Sequence, residues 1–251
     1  MAIGLPRVAE IPLQNPPVVE VVAQVRFPPL LSVLKEPPVD FQESIRQRFP
    51  QLTRENTAQV AINNDEHPSL TFQPPVYRFS SSESESQAVL SADFFAVSSK
   101  HYTGWHRFLD DLTYVYTAVA HVYKPSYASR VGLRYINHLT PENTGADERA
   151  ALFQLVRPEL TATLHGPFWE NADEMISIVS FADGEARLNL RYGYSITDAS
   201  PTFLLDFDYY EEGAIPLDEL LPRFEQYHAT IYDAFRWCLL PQALSLLGGV
   251  V

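Results

Sequence analysis

Residues 130–136 read RVGLRYI, and this stretch decides how the rest of the chain is parsed. Arg130, Gly132 and Arg134, continued by His138, fall on one side of a two-residue repeat, while Val131, Leu133 and Tyr135 fall on the other. That alternation is the mark of a strand with one apolar face. An earlier stretch, residues 18–27 (VVEVVAQVRF), is β-branched and bounded by proline pairs, as a mostly buried strand would be. It sets Glu20, Val22, Gln24 and Arg26 on one side, so the two stretches share a charge pattern as well as a period. Arg26-Phe27 and Arg134-Tyr135 are separated by the same number of residues as Pro50-Gln51-Leu52 and Pro158-Glu159-Leu160. The chain therefore reads as one ground plan used twice.

Working outward, residues 1–17 hold four prolines and little periodicity and read as an extended arm entering the first strand at Val18. After that strand, Asp40 is placed to cap a helix over residues 41–49, with Glu43 completing a capping box and Pro50 ending it. Three strands are expected next, at about 58–62, at 70–80 with an interruption at Pro74 and Pro75, and at 87–98; the serine and glutamate run between the last two reads as a solvated hairpin tip. Thr103 then precedes a long helix with apolar positions at Trp105, Phe108, Leu109, Leu112, Val115, Tyr116, Val119, Val122 and Tyr123.

The order then restarts: a strand over 130–136, a helix over 147–156 ended by Pro158, and strands over 174–182, 185–196 and 202–208. Asp183-Gly184 supplies a type I′ turn signal between two of these. A long amphipathic helix over 217–239 closes the plan. The expected fold is α+β, with tandem strand-helix-three strands-helix halves (18–125 and 127–240) forming a single pseudo-twofold domain. Its continuous antiparallel sheet would carry the helices on one face. In element order this plan resembles that of TATA-binding protein, which bears on architecture and not on role.

Composition narrows the role. The formal charge is −13, from 31 acidic and 18 basic residues, so the molecule repels phosphate backbones and anionic membrane surfaces at long range. The lone cysteine, Cys238, excludes a disulfide framework or a four-cysteine zinc site. No apolar run approaches the length needed to cross a bilayer, and no charged, apolar start resembles a signal peptide, so a cytoplasmic location is expected.

No nucleophile elbow, phosphate-cradling glycine loop, His-Glu-x-x-His or Cys-x-x-Cys occurs, and no cofactor, metal or catalytic residue is expected. His106 and Asp110, four apart on a helix, are two groups where a metal site needs more. His228 reads equally well as a satisfied interior histidine. The residues that stand out as ligand or interface candidates are Glu20, Arg26, Arg130, Arg134, His138 and Trp169. Glu20 is placed to pair with Arg130 or Arg134 in an ion-pair network, and the same arginines could instead form an anion or nucleic-acid pocket. Trp169 sits in an aromatic loop, residues 165–170 (HGPFWE), where an exposed indole would mark a contact surface.

Three motifs in order, NPPVVEV leading to Arg26-Phe27, Tyr102-x-Gly104-Trp105-x-x-Phe108, and RxGLRYIN from Arg130, resemble a sporadically distributed bacterial family of about this length. The resemblance carries over no activity, cofactor or catalytic residue, and its patchy distribution implies accessory systems such as defence islands. The expectation is a non-enzymatic protein-interaction component of a defence or regulatory assembly, holding a partner with a basic surface by its sheet face or edge. Self-association stays open, direct nucleic-acid contact is not expected, and the alternatives are an anion- or nucleic-acid-binding module using the strand arginines, or a hydrolase with a dispersed carboxylate and histidine site.

Overall fold

The computed structural model describes residues 3–55, 58–62, 68–72, 74–82, 85–164, 166–169, 172–197 and 200–249. The fold is α+β. Its strands are β1 (Val18–Arg26), β2 (Gln51–Glu55), β3 (Ala58–Ile62), β4 (Pro68–Phe72), β5 (Val76–Ser80), β6 (Ser86–Leu90), β7 (Phe94–Ser99), β8 (Ala128–Leu139), β9 (Glu174–Asp183), β10 (Ala186–Thr197) and β11 (Ser200–Ile215). Its helices are α1 (Leu31–Lys35), α2 (Val39–Ile45), α3 (Trp105–Val122), α4 (Pro141–Thr144), α5 (Arg149–Phe153), α6 (Pro158–Thr161), α7 (Leu220–Cys238) and α8 (Pro241–Leu246). Among the described residues, nine strands form one antiparallel sheet in the order β2-β5-β6-β7-β1-β8-β11-β10-β9, and β3 pairs only with β4. The long helix α3 comes after β7, which lies next to β1, and α7 comes after β11, which lies next to β8.

The chain divides into two compact units. Met1–Val21, Gly132–Glu212 and Leu221–Val251 make one, built around α7; Val22–Val131 and Gly213–Leu220 make the other, built around α3. In the α3 unit, Phe108, Leu112, Val115 and Val119 are buried on the stripe that their spacing predicts. Phe41 of α2 meets Phe79 of β5 edge to face at 5.5 Å. Tyr123, at the end of α3, is half-buried, and burial pushes its hydroxyl up to about 12.

In the α7 unit the helix lies on β11, with Phe235 against Phe207 and Tyr227 against Tyr209, ring centroids 6.5 and 4.6 Å apart. The arm has no regular structure, as its prolines predict, and is tied to α7. Arg7 donates to Asp233 at 3.0 Å, the Val8 amide to the other Asp233 oxygen at 3.0 Å, and the Ile11 amide to the Tyr232 hydroxyl at 2.7 Å. Cys238 is buried, and burial pushes its thiol up to about 12.

Several local expectations are corrected. The helix expected over 41–49 is α2, which starts at Val39 after Pro38 with no side-chain cap, and Asp40 lies in its first turn. Thr103 does not cap α3, because Gly104 takes the N-cap position at φ +138°, a conformation that side chains with a Cβ rarely adopt. The stretch 70–80 divides at the prolines into β4 and β5, and 87–98 divides into β6 and β7 around a turn closed by the Ser91 amide on the Phe94 carbonyl. An unforeseen strand, β2, follows Pro50; it is exposed throughout and has no apolar face to read. In place of one helix over 147–156 stands the shorter α5, and a separate helix, α6, begins at Pro158.

The β9–β10 turn is shifted by one residue from its expected register. Asp183 pairs with Ala186, so Gly184 and Glu185 form the loop, and of these only Gly184 has a positive φ, +61°. A glycine at the first central position is what a type II′ turn requires, where type I′ would need two positive φ values.

Candidate functional site

The registers of β9, β10 and β11 decide which side chains share a face. On β11, Phe203, Leu205, Phe207 and Tyr209 turn toward α7, while Leu204, Asp206, Asp208 and Tyr210 turn to the opposite side. Asp206 pairs with Arg191 of β10, which pairs with Ile178 of β9, so these three lie in one row on the side away from α7. Ile178 is 68% exposed. On the α7 side of β9, Val179 and Phe181 are also exposed, because α7 packs on β11, two strands further in.

Arg134 of β8 meets Asp206 fork to fork: Nε donates to Oδ1 at 2.8 Å and Nη2 to Oδ2 at 2.6 Å. The carboxylate is 4% exposed and the guanidinium side chain 43%, so water reaches one partner and not the other. Hydrogen bonding to Asp206 raises the Arg134 pKa, burial opposes this, and Asp206, Asp208 and Glu20 add smaller attractions. His138 lies on the same side of β8. Burial lowers its pKa below the ordinary 6.5, against the pull of Asp206.

Arg134 and His138 are thus brought to one buried carboxylate and Glu20 lies near Arg134, but the partner that Arg134 grips is Asp206 and not Glu20. The signal that points to Asp206 is the alternation of Asp206 and Asp208 with Leu205, Phe207 and Tyr209, which puts two acids on the side shared with Arg134. The other two arginines sit in the α3 unit. Arg130 donates to Gln24 at 3.4 Å, and Arg26, at the end of β1, pairs with Asp93 at 3.4 Å in an exposed bridge. Asp110 does not share a ligand with His106; it is bridged by Arg48 at 2.8 Å. His228 is an interior histidine, with Nδ1 3.0 Å from the Tyr135 hydroxyl and Nε2 3.4 Å from Glu10.

Trp169 is partly exposed and packs at right angles to Phe168, which is 84% exposed. The loop is held by Arg149, which donates to the carbonyls of Trp169 and Leu164 and stacks over Phe153 and Tyr194. Tyr194 pairs with Met175, so this aromatic tip is braced at the start of β9.

The outer edge of β9 ends the sheet. The Ile196 amide donates to the Asp173 carbonyl, and the register from there makes 175, 177, 179, 181 and 183 the residues bonded to β10. By the same alternation Glu174, Ile176, Ile178, Ser180 and Ala182 turn their N–H and C=O groups outward. Residues 175–182 (MISIVSFA) carry no charge and no proline and are apolar on both faces. The other terminal strand, β2, is half as long, and its Arg54 and Glu55 charge its end. Short, charged edges resist strand addition, whereas long, apolar ones invite it. Gly193 keeps the β9–β10 hairpin closed: its φ is +153°, and a Cβ there would lie 1.9 Å from the Met175 carbonyl oxygen.

Among the described residues no group of three or more His, Cys, Asp or Glu is placed to hold a metal ion, and no helix is long and apolar enough to cross a membrane. No family model matches the chain, and no curated protein matches it. Among solved structures, the S. pombe Pct1 RNA triphosphatase in complex with the Spt5 CTD is 8% identical over 90% of this chain and 83% of that chain. With a TM-score of 0.14, it carries no argument about fold or function.

Proposed function

We propose that this chain is a non-enzymatic protein-interaction component that holds a partner protein by taking one of its extended segments onto the outer edge of β9. The observation that carries the reading is that edge: outward-facing backbone groups on five alternate residues, flanked by Ile178, Val179 and Phe181, which are exposed to water on both faces. A strand added there gains main-chain hydrogen bonds and covers apolar side chains with the same step. The charged face around Arg134 supports the reading from the other direction. Its guanidinium fork is filled by Asp206, which disfavours the alternative of an anion or nucleic-acid pocket at that arginine. The resemblance to a patchily distributed family fits one component of an accessory defence or regulatory assembly.

The test is a panel of immobilised synthetic peptides alternating threonine and valine, probed with the full chain and with Ile178→Pro. The Ile178 amide faces outward, so proline there removes a donor to an incoming strand and leaves the bonds to β10 in place. Binding by the wild type and its loss in the variant is the expected result. A wild-type chain that binds none of the peptides, or a proline variant that binds as well, refutes the reading.

A further inference from the structure

Resting on that reading, we infer that the segment received by β9 comes from a different protein and not from a second copy of this chain, and that it is an extended, alternately apolar run with a lysine or arginine at each end. The argument is charge placement. Asp173 and Glu174 stand exposed at one end of β9, and Asp183 and the exposed Glu185 at the other, while everything between is uncharged. The strand is therefore an apolar rail with a carboxylate pair at each terminus. Asp183 is held in place by the Tyr209 hydroxyl, which donates to it at 2.7 Å.

A second copy does not fit this rail. Antiparallel pairing of two β9 strands through their outward residues, centred on Ile178, sets Asp173 against Asp183 twice by symmetry. Like charges placed opposite one another across strands are destabilising, and the formal charge of −13 on each chain adds repulsion at longer range. A segment that is basic at both ends meets opposite charge whichever direction it runs. The ends of the rail lie about 30 Å apart, several screening lengths at physiological salt, so each end selects independently. The exposed bases on the same side, Arg187 and Arg191, belong to β10, one strand in from the edge, opposite Ala182 and Ile178. Arg191 faces the side chains of an incoming segment at mid-strand, and Arg187, near the far end, lies on the face opposite to the Asp183 side chain and leaves that face of the terminus to the carboxylate.

Two fluorescent peptides test this, each alternating threonine and valine, one ended by lysines and its twin by glutamates, titrated against the full chain. The lysine peptide is expected to bind about tenfold tighter at about 0.05 M salt, with the gap closing at about 1 M salt, where the screening length falls to about 3 Å. In the doubly substituted Glu174→Lys/Glu185→Lys chain the preference is expected to disappear or reverse. Equal binding of both peptides, with loss of both in Ile178→Pro, overturns the charge inference and leaves strand addition standing. Binding of neither overturns both. Light scattering that shows a concentration-dependent dimer, dissolved by Ile178→Pro, makes the occupant a second copy and also overturns it. Ile178→Lys replaces the proline variant if the latter does not fold.

Discussion

Removing Arg134 should harm the protein more than removing the carboxylate it grips, although each change breaks the same two hydrogen bonds. Asp206 is 4% exposed, so in Arg134→Met a carboxylate stays buried with its main counter-charge gone. Breaking a fully buried pair in this way costs about 3–5 kcal/mol, but Arg134 is 43% exposed and water can enter the vacated space, which brings the figure to about 2–3 kcal/mol. In Asp206→Asn the guanidinium keeps one acceptor and half its contact with water, and the cost falls to about 1 kcal/mol. For a chain of this length about 2–4 °C of melting temperature accompanies each kcal/mol, so Arg134→Met should melt about 4–12 °C lower and Asp206→Asn about 2–4 °C lower. The assay is thermal melting of the two single variants and of Arg134→Met/Asp206→Asn, whose loss should be smaller than the sum of the singles by about 1–2 kcal/mol. An Asp206→Asn loss as large as that of Arg134→Met, or additive losses in the double variant, would refute the reasoning. A melting temperature unchanged in Arg134→Met would return that arginine to the pool of ligand-binding groups.

Titrations give two further expectations of opposite sign. Burial lowers the His138 pKa below 6.5, so the fold favours the neutral ring. The stability this gives is full above pH 6.5 and is lost as pH falls through the window beneath it, and His138→Gln should flatten that slope in denaturation series taken across the window. Asp111 behaves in reverse: burial raises its pKa above 3.8 despite Arg107 and Arg48, so its stability contribution is full below 3.8 and is lost as pH rises through the raised value. Wild type should therefore lose stability relative to Asp111→Asn as pH rises in that range, and a wild type that gains on the variant would contradict the assignment. Gly193→Ala forces a Cβ into the Met175 carbonyl and should cost about 2–4 kcal/mol, seen as faster hydrogen exchange across β9; unchanged protection would show that the close approach is not a constraint.

What the sequence determined by itself is the content of the elements. The apolar stripe from Phe108 to Val119, the alternation in RVGLRYI and the proline-rich arm are local periodicities, and a local repeat survives whatever it packs against. Local spacing fails where a polar stretch forms an edge strand, as at β2, which has no buried face to announce it. Arg134 and His138 were legible as charged groups on the open side of a strand, but the partner that unites them was not. That Asp206 grips Arg134, and that β9 and not a neighbour ends the sheet, follow from strand order and register. Those join residues about 70 positions apart and are settled only when non-local hydrogen bonds close. The same tertiary choice leaves Ile178 facing water, for had another strand taken the outer place its alternation would have read the same and its side chain would have been covered.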